Sequence, residues 1–333
     1  MELQTRSNTR YRFSLQSSRM NNILITGATG FIGRYLVEQF CQDNNVICLV
    51  RPGTKNLKRI AEFSDKIKIV EHNIRDTYDL NTFKDIDIIL HAGANPSAAD
   101  SITAPVESVL DNVIGTLNLL ELARQINLKK FVYYSSGEVF GPIPIGSDSG
   151  ENDAYRSNSP YAASKASGEE LCVSYSHTYK LPVSIIHINN TFGPMCQPNR
   201  LPTIIIKKLL NNESLDIHVG KENQIGGRRW FYAGDVASHT DFAIRTQVGL
   251  CEKWNSAGNK FIDNFEFANN IADIVGKKLN YNFIPVDRPG HDLCFSVDPQ
   301  KFYDSGWVEP MSYQQRLEQT VNWYLNNQEW LYV

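Results

Sequence analysis

The sequence predicts an α/β protein, a doubly wound parallel sheet with a smaller C-terminal lobe. Three observations carry this. From Met20 onward, short apolar runs alternate with helical stretches, as successive βαβ units require. Most of those runs are apolar throughout, which suits strands covered by helices on both faces. The turn after the first run, "GATGFIGR" (27–34), spaces Gly27, Gly30 and Gly33 evenly just where a helical stretch opens.

Residues 1–19 stand apart, with four arginines, one glutamate and much Ser, Asn and Gln. They lack the apolar core of a secretory signal and bear a weak likeness to an organelle transit peptide. They are expected to be a disordered tail, or a segment upstream of a second start at Met20. "NILIT" then reads as a strand and 31–42 as a helix. "NVICLV", "KIKIV" and "IDIIL" read as strands, 106–125 as a helix and "KFVYYSS" as a further strand. Beyond Asn190 prolines and short segments dominate, until the amphipathic helix "YQQRLEQTVNWYLNNQEW". The expected division is a dinucleotide-binding domain over 20–189 plus about 228–262. A second lobe takes 190–227 and 263–333.

Bulk properties narrow the function. The chain has 333 residues, 42% hydrophobic and 21% charged, with a formal net charge of -3. That is ordinary globular composition and gives no reason to expect nucleic acid or a membrane surface as partner. No apolar stretch approaches the roughly 18 residues of a membrane span. Cys41, Cys48, Cys172, Cys196, Cys251 and Cys294 form no metal-ligand spacing, so reduced thiols, no metal and a cytoplasmic location are expected.

The glycine turn follows the first strand of a βαβ unit and opens a helix, the context of a Rossmann-type dinucleotide site. The first glycine permits a tight turn and the second lets backbone approach a pyrophosphate. The third lets helix and strand pack closely, and the helix N-terminus attracts negative charge. Alone, the spacing serves equally as a structural turn. A second constellation adds weight. In "SPYAASKASGEEL", Tyr161 and Lys165 share one helix face. An ammonium beside a phenol lowers its pKa and makes it a usable base. Upstream, "YYSSGEVFG" ends a strand with Ser135, Ser136 and Glu138. A hydroxyl, a phenol and an amine so placed suit proton transfer coupled to hydride transfer on a carbinol.

With these motifs in order ("GATGFIG", "HNIRD", "HAGA", "DNVIGTLNLLELA", "SSGEVFG", "YAASK", "NTFGP", "RRWFYAGDVA"), the chain resembles the extended short-chain dehydrogenase/reductases, NAD-dependent epimerase/dehydratase type. The resemblance runs from Asn21 to about Trp330. It is closest to nucleotide-sugar 4,6-dehydratases like those for dTDP-glucose, through Trp230, "VDRPGHD", "SGW" and "TVNWYLNNQEW".

The resemblance implies roles. Tyr161 would take the proton of the sugar 4-hydroxyl, Lys165 would hold the nicotinamide ribose, and Ser136 would bond the reacting oxygen. Glu138 would remove the C5 proton once C4 is oxidised. Gly27, Thr29, Gly30, Phe31, Ile32, Gly33 and Ala92 would cradle the cofactor together with Tyr161 and Lys165. Asn73 and Ile74 would flank the adenine, with Asn73 where Asp is usual. Asn112 would support the site. Asn190 and Arg228 would bind the substrate diphosphate, with Arg288 and His291 near its nucleotide. A homodimer is expected through the helices at 106–125 and 161–179.

Two departures stand out. Gly137 replaces the aspartate thought to protonate the departing hydroxyl. Arg51, with Lys55 and Arg59 nearby, replaces the acid that marks NAD, and so favours NADP over NAD. The expected activity is 4,6-dehydration of a nucleotide-diphosphate sugar through a 4-keto intermediate. The alternatives are a 4-epimerase, a decarboxylase or a 5,6-dehydratase. Outside enzymes, the alternative is a dinucleotide-binding scaffold or sensor, for which a broken Ser/Tyr/Lys set would be expected.

Overall fold

The computed structural model describes residues 20–246, 249–285 and 293–332. The 1–19 tail, Arg288 and His291 lie outside the described residues. Strands β1 (Asn22–Thr26), β2 (Asn45–Val50), β3 (Ile67–Glu71), β4 (Ile88–His91), β5 (Lys130–Ser136), β6 (Val183–Ile188) and β7 (Cys251–Ser256) form one sheet. Its order is β7-β6-β5-β4-β1-β2-β3, and every pair in it is parallel. The order reverses between β1 and β4, where a crevice opens beyond the carboxyl ends of the strands.

Alternation along the strands fills both faces. Ile23 and Ile25 join one buried cluster with Val132 and Trp254, while Leu24 joins the other with Phe131 and Tyr133. Each such fully buried aliphatic contributes about 1.5–3 kcal/mol of transfer free energy. The exception is β3, whose Lys68, Ile69 and Glu71 are exposed. As the edge strand it has one neighbour, β2, so it does not follow the expectation of apolar runs throughout.

The principal helices are α1 (Phe31–Phe40), α2 (Gly115–Ala123), α3 (Pro160–Tyr179), α4 (Leu201–Leu210), α5 (Ala233–Arg245), α6 (Asn264–Val275) and α7 (Tyr313–Asn326). The helix expected over 106–125 is helical but not uniform. Pro105–Val109 and α2 are joined by a π-wound turn, Leu110–Ile114, which carries Asn112. Inserted turns of this kind often mark functional positions.

Sequence patterning underestimates the region beyond Asn190, where α4, α5 and α6 are regular helices. Pro202 sits in the first turn of α4, where its missing N–H costs nothing. The Asp263 carboxylate caps α6 by accepting from the N–H groups of Phe265 and Glu266. Helix α5 packs its Ala233, Val236 and Ala237 into the sheet cluster with Ile23, while α4, α6 and α7 bury a separate cluster around Phe192, Ile206, Phe267 and Val321. There Trp230 stacks on Phe267 with ring centroids 4.1 Å apart.

Candidate active site

A cavity of about 650 Å³ opens at the strand-order reversal. Its floor is the glycine turn. Gly27 has φ +67°, and a side chain there would meet the Ala92 backbone at 2.7 Å. A Cβ on Gly33 would lie 1.9 Å from the Gly27 carbonyl oxygen, so this glycine seats α1 against β1. Gly30 caps α1 in an extended conformation and faces the cavity. Its would-be Cβ meets only the Gly27 oxygen, at 3.0 Å.

Thr29, Phe31, Ile32, Arg51, Ile74 and Ala92 also line the cavity. Asn73 does not. Its side chain turns inward to accept the Arg75 N–H at 3.1 Å, and His72 and Ile74 face the cavity instead. Arg51 is exposed at the end of β2 and reaches Asp111 at 3.4 Å. Arg75 holds the same carboxylate at 2.6 Å.

The catalytic candidates come together at the end of β5. After Ser136 the chain makes one 3-10 turn, Gly137–Phe140, and the Ser136 hydroxyl caps it by accepting the Glu138 N–H at 3.2 Å. Ser159 caps α3 by accepting from the Ala162 N–H at 3.1 Å, and Pro160 pre-sets its first turn. This start places Tyr161 in the cavity with Ser136 and Glu138, whose side chains both act on its phenol.

The electrostatics of this cluster differ from the sequence expectation. Burial, then the charge of Glu138, push the Tyr161 phenol above its ordinary pKa, and Ser136 and Arg200 oppose the rise. Lys165 is not among the groups that shift it. Its ammonium lies 4.2 Å from the Tyr133 ring centroid, and burial pulls it down to about 7.

Asn112 locks the surrounding elements. Its side chain accepts from the Asn95 N–H at 2.7 Å and donates to the Ser164 hydroxyl at 2.8 Å. Ser164 in turn donates to the Tyr161 carbonyl at 2.7 Å. A Cβ on Gly168 would lie 2.9 Å from the Asn112 carbonyl, so the π-wound turn and α3 meet backbone to backbone.

Asn190 lines the far end of the cavity, and its side-chain oxygen is buried without a partner. Ser135 Oγ, Asn189 Nδ2 and Trp230 Nε1, from three other lining residues, are likewise unpartnered. Arg228 is not on the lining. It packs 4.2 Å from the ring centroid of Phe295, which is, and donates to the Gly227 and Leu293 carbonyls at 2.7 Å each. Asn189, Gln197 and Arg200 were not legible as lining residues, since they sit in an irregular stretch after β6 without a motif of their own. Among the described residues no group of three or more His, Cys, Asp or Glu side chains could hold a metal, and no helix is long and apolar enough to cross a membrane.

A doubly wound sheet with a glycine turn and a Ser–Tyr–Lys set at its carboxyl edge defines the short-chain dehydrogenase/reductase class of α/β protein. The family model for the NAD dependent epimerase/dehydratase family matches residues 23–255, and the chain belongs to that family. It is 32% identical to the dTDP-glucose 4,6-dehydratase of Shigella flexneri, with 93% of this chain and 94% of that one aligned. Among solved structures it superposes on the dTDP-glucose 4,6-dehydratase DesIV of Streptomyces venezuelae, which holds NAD. The TM-score is 0.84 at 27% identity over 93% of this chain and 98% of that one. It superposes almost as well on the UDP-glucuronic acid 4-epimerase of Bacillus cereus with UDP-glucuronic acid and NAD. There the TM-score is 0.83 at 25% identity over 92% and 99%.

Proposed function

We propose that the protein is an NAD(P)-dependent nucleotide-diphosphate-sugar 4,6-dehydratase. The observation that carries the reading is the Glu138 carboxylate beside the Ser136–Tyr161 pair in one cavity. The glycine turn supports a dinucleotide there, because the cavity runs along the N-terminus of α1 and Gly30 leaves its floor open. A nicotinamide held there by the glycine turn, Tyr161 and Lys165 would supply the acceptor and later the donor of a hydride.

The chain's own residues do the rest. Ser136 holds the 4-oxygen and Tyr161 takes its proton. The phenol must come down from its raised pKa to do so. Lys165, close to half-charged at neutral pH, and Arg200 are the cations of the lining nearest that task. The 4-ketone then acidifies C5–H, and Glu138 removes that proton. Asn190 and the neighbouring unpartnered groups are donors and acceptors for the sugar diphosphate. In this reading the cluster around Phe192 and Phe267 belongs to the lobe that holds the nucleotide sugar.

One observation favours a second reading, a 4-epimerase. Gly137 supplies no acid there, and a side chain in its place would press on Val297 Cγ1 at 3.1 Å and Phe295 Cδ2 at 3.4 Å. Epimerisation at C4 needs neither that acid nor a C5 base. Mass analysis after incubation with a panel of nucleotide sugars separates the two. Loss of one water supports dehydration, an isomer of unchanged mass means epimerisation, and loss of carbon dioxide means decarboxylation.

A further inference from the structure

Arg59, near Arg51 in sequence, lines the same cavity. It ends a 3-10 turn, Asn56–Arg59, beyond β2, and is 7% exposed. Among the described residues it makes no ion pair. Its Nη1 lies 3.5 Å from the Thr29 carbonyl oxygen, the limit of a hydrogen bond, and its Nε has no partner. The ring of Trp330 lies 5.7 Å away. The titratable groups beside it, Cys196 and Tyr324, are both held neutral by burial, the thiol pushed up to about 12. Arg34, equally buried, shows the usual arrangement, with Glu38 at 2.7 Å and Glu62 at 2.6 Å. A buried guanidinium with no counter-charge and an unpartnered Nε is costly unless an anion meets it.

The location names the anion. Thr29 belongs to the glycine turn, and the next residue caps α1, whose first N–H groups have no partner within the helix. We propose that Arg59 is a side-chain arm of the dinucleotide pyrophosphate site, opposite the backbone N–H groups of α1. Arg59 is thereby distinct from Arg51, which is exposed, already paired with Asp111, and suited to a peripheral ribose 2'-phosphate. The assignment rests on the NAD(P) reading above and adds a ligand that the glycine motif does not contain.

Dissociation constants test it without turnover. Nucleotide-free protein is titrated calorimetrically with adenosine, ADP-ribose, NAD and NADP. Arg59→Met should weaken the three diphosphates alike, by roughly 10- to 100-fold as for hydrogen bonds to charged groups, and leave adenosine unchanged. Arg59→Lys should recover part of the loss. Unchanged binding of ADP-ribose would overturn the proposal, as would an equal loss for adenosine or a loss confined to NADP. Should the Met variant not fold, the Arg59 Nε–H resonance of the wild type, assigned by its absence in Arg59→Lys, takes its place. It should move on adding ADP-ribose, and a stationary signal would overturn the assignment. A wild type that binds none of the dinucleotides would overturn the cofactor reading itself.

Discussion

The two ends of the cavity are built differently. At the glycine turn the walls are backbone brought close to backbone, from one contiguous stretch, 27–33, and the residue after β4, Ala92. At the Tyr161 end the lining comes from distant segments. Ser135 and Ser136 end β5 and Glu138 follows it, Tyr161 and Lys165 lie on α3, Asn189 and Asn190 follow β6, and Trp230 and Phe295 come from further along the chain. That end also keeps four side-chain polar atoms unpartnered. The first end is a shape that many dinucleotide-binding chains can share. The second holds buried, unsatisfied atoms, a cost that a bound ligand would offset.

The largest expected effect lies at the Tyr161 end. Tyr161→Phe removes one hydroxyl and should lower turnover by about 10²–10⁴, with folding and dinucleotide affinity retained. Steady-state kinetics beside a binding titration checks this, and wild-type turnover would break the division between the two ends.

At the glycine end the equivalent lesion is structural. Gly33→Ala sets a methyl 1.9 Å from the Gly27 carbonyl oxygen, backbone against backbone, with no side chain free to yield. It should cost at least about 3 kcal/mol, the upper end of overpacking, read by chemical denaturation.

Arg51→Ala sharpens the comparison within the cofactor end. It should cost about 1.5–3 kcal/mol of NADP affinity and leave NAD nearly unchanged. Equal losses, or none, would remove Arg51 from the 2'-phosphate.

The smallest effect is on stability. Burial lowers Lys165 from 10.5 to about 7, so between these values the unfolded chain holds a proton that the fold does not. The cost of burying the ammonium is full below pH 7 and fades as pH rises toward 10.5. Lys165→Met should therefore raise Tm by a few degrees at pH 6 and by less at pH 9, and an equal gain at both would contradict the burial of a charge.

What could be read from the sequence follows the same division. Gly27 and Gly33 were legible because a positive φ and a backbone approach demand glycine at fixed spacing. Ser136, Tyr161 and Lys165 were legible as a set because one strand end and one helix turn carry them. Asn73 was misplaced because its side chain serves the turn to Arg75, a local hydrogen bond that no spacing reveals. Arg228 sits behind Phe295 for a non-local reason, the return of the chain at 293–297 over Gly137. The sign of the Tyr161 shift was also hidden. A motif shows that a lysine is near but not that burial lowers its own pKa to about 7.

The proposed dehydration stands on Glu138 as its C5 base. It is tested most directly by following solvent-deuterium exchange at C5 in Glu138→Gln beside the wild type, with the substrate found by the product-mass panel. C4 oxidation needs Ser136, Tyr161, Lys165 and the cofactor only. The variant should therefore stall with reduced nicotinamide visible in the near ultraviolet, while exchange and product formation fall together by about 10²–10⁴. Exchange and turnover at wild-type levels in the folded variant would contradict a C5 base at Glu138.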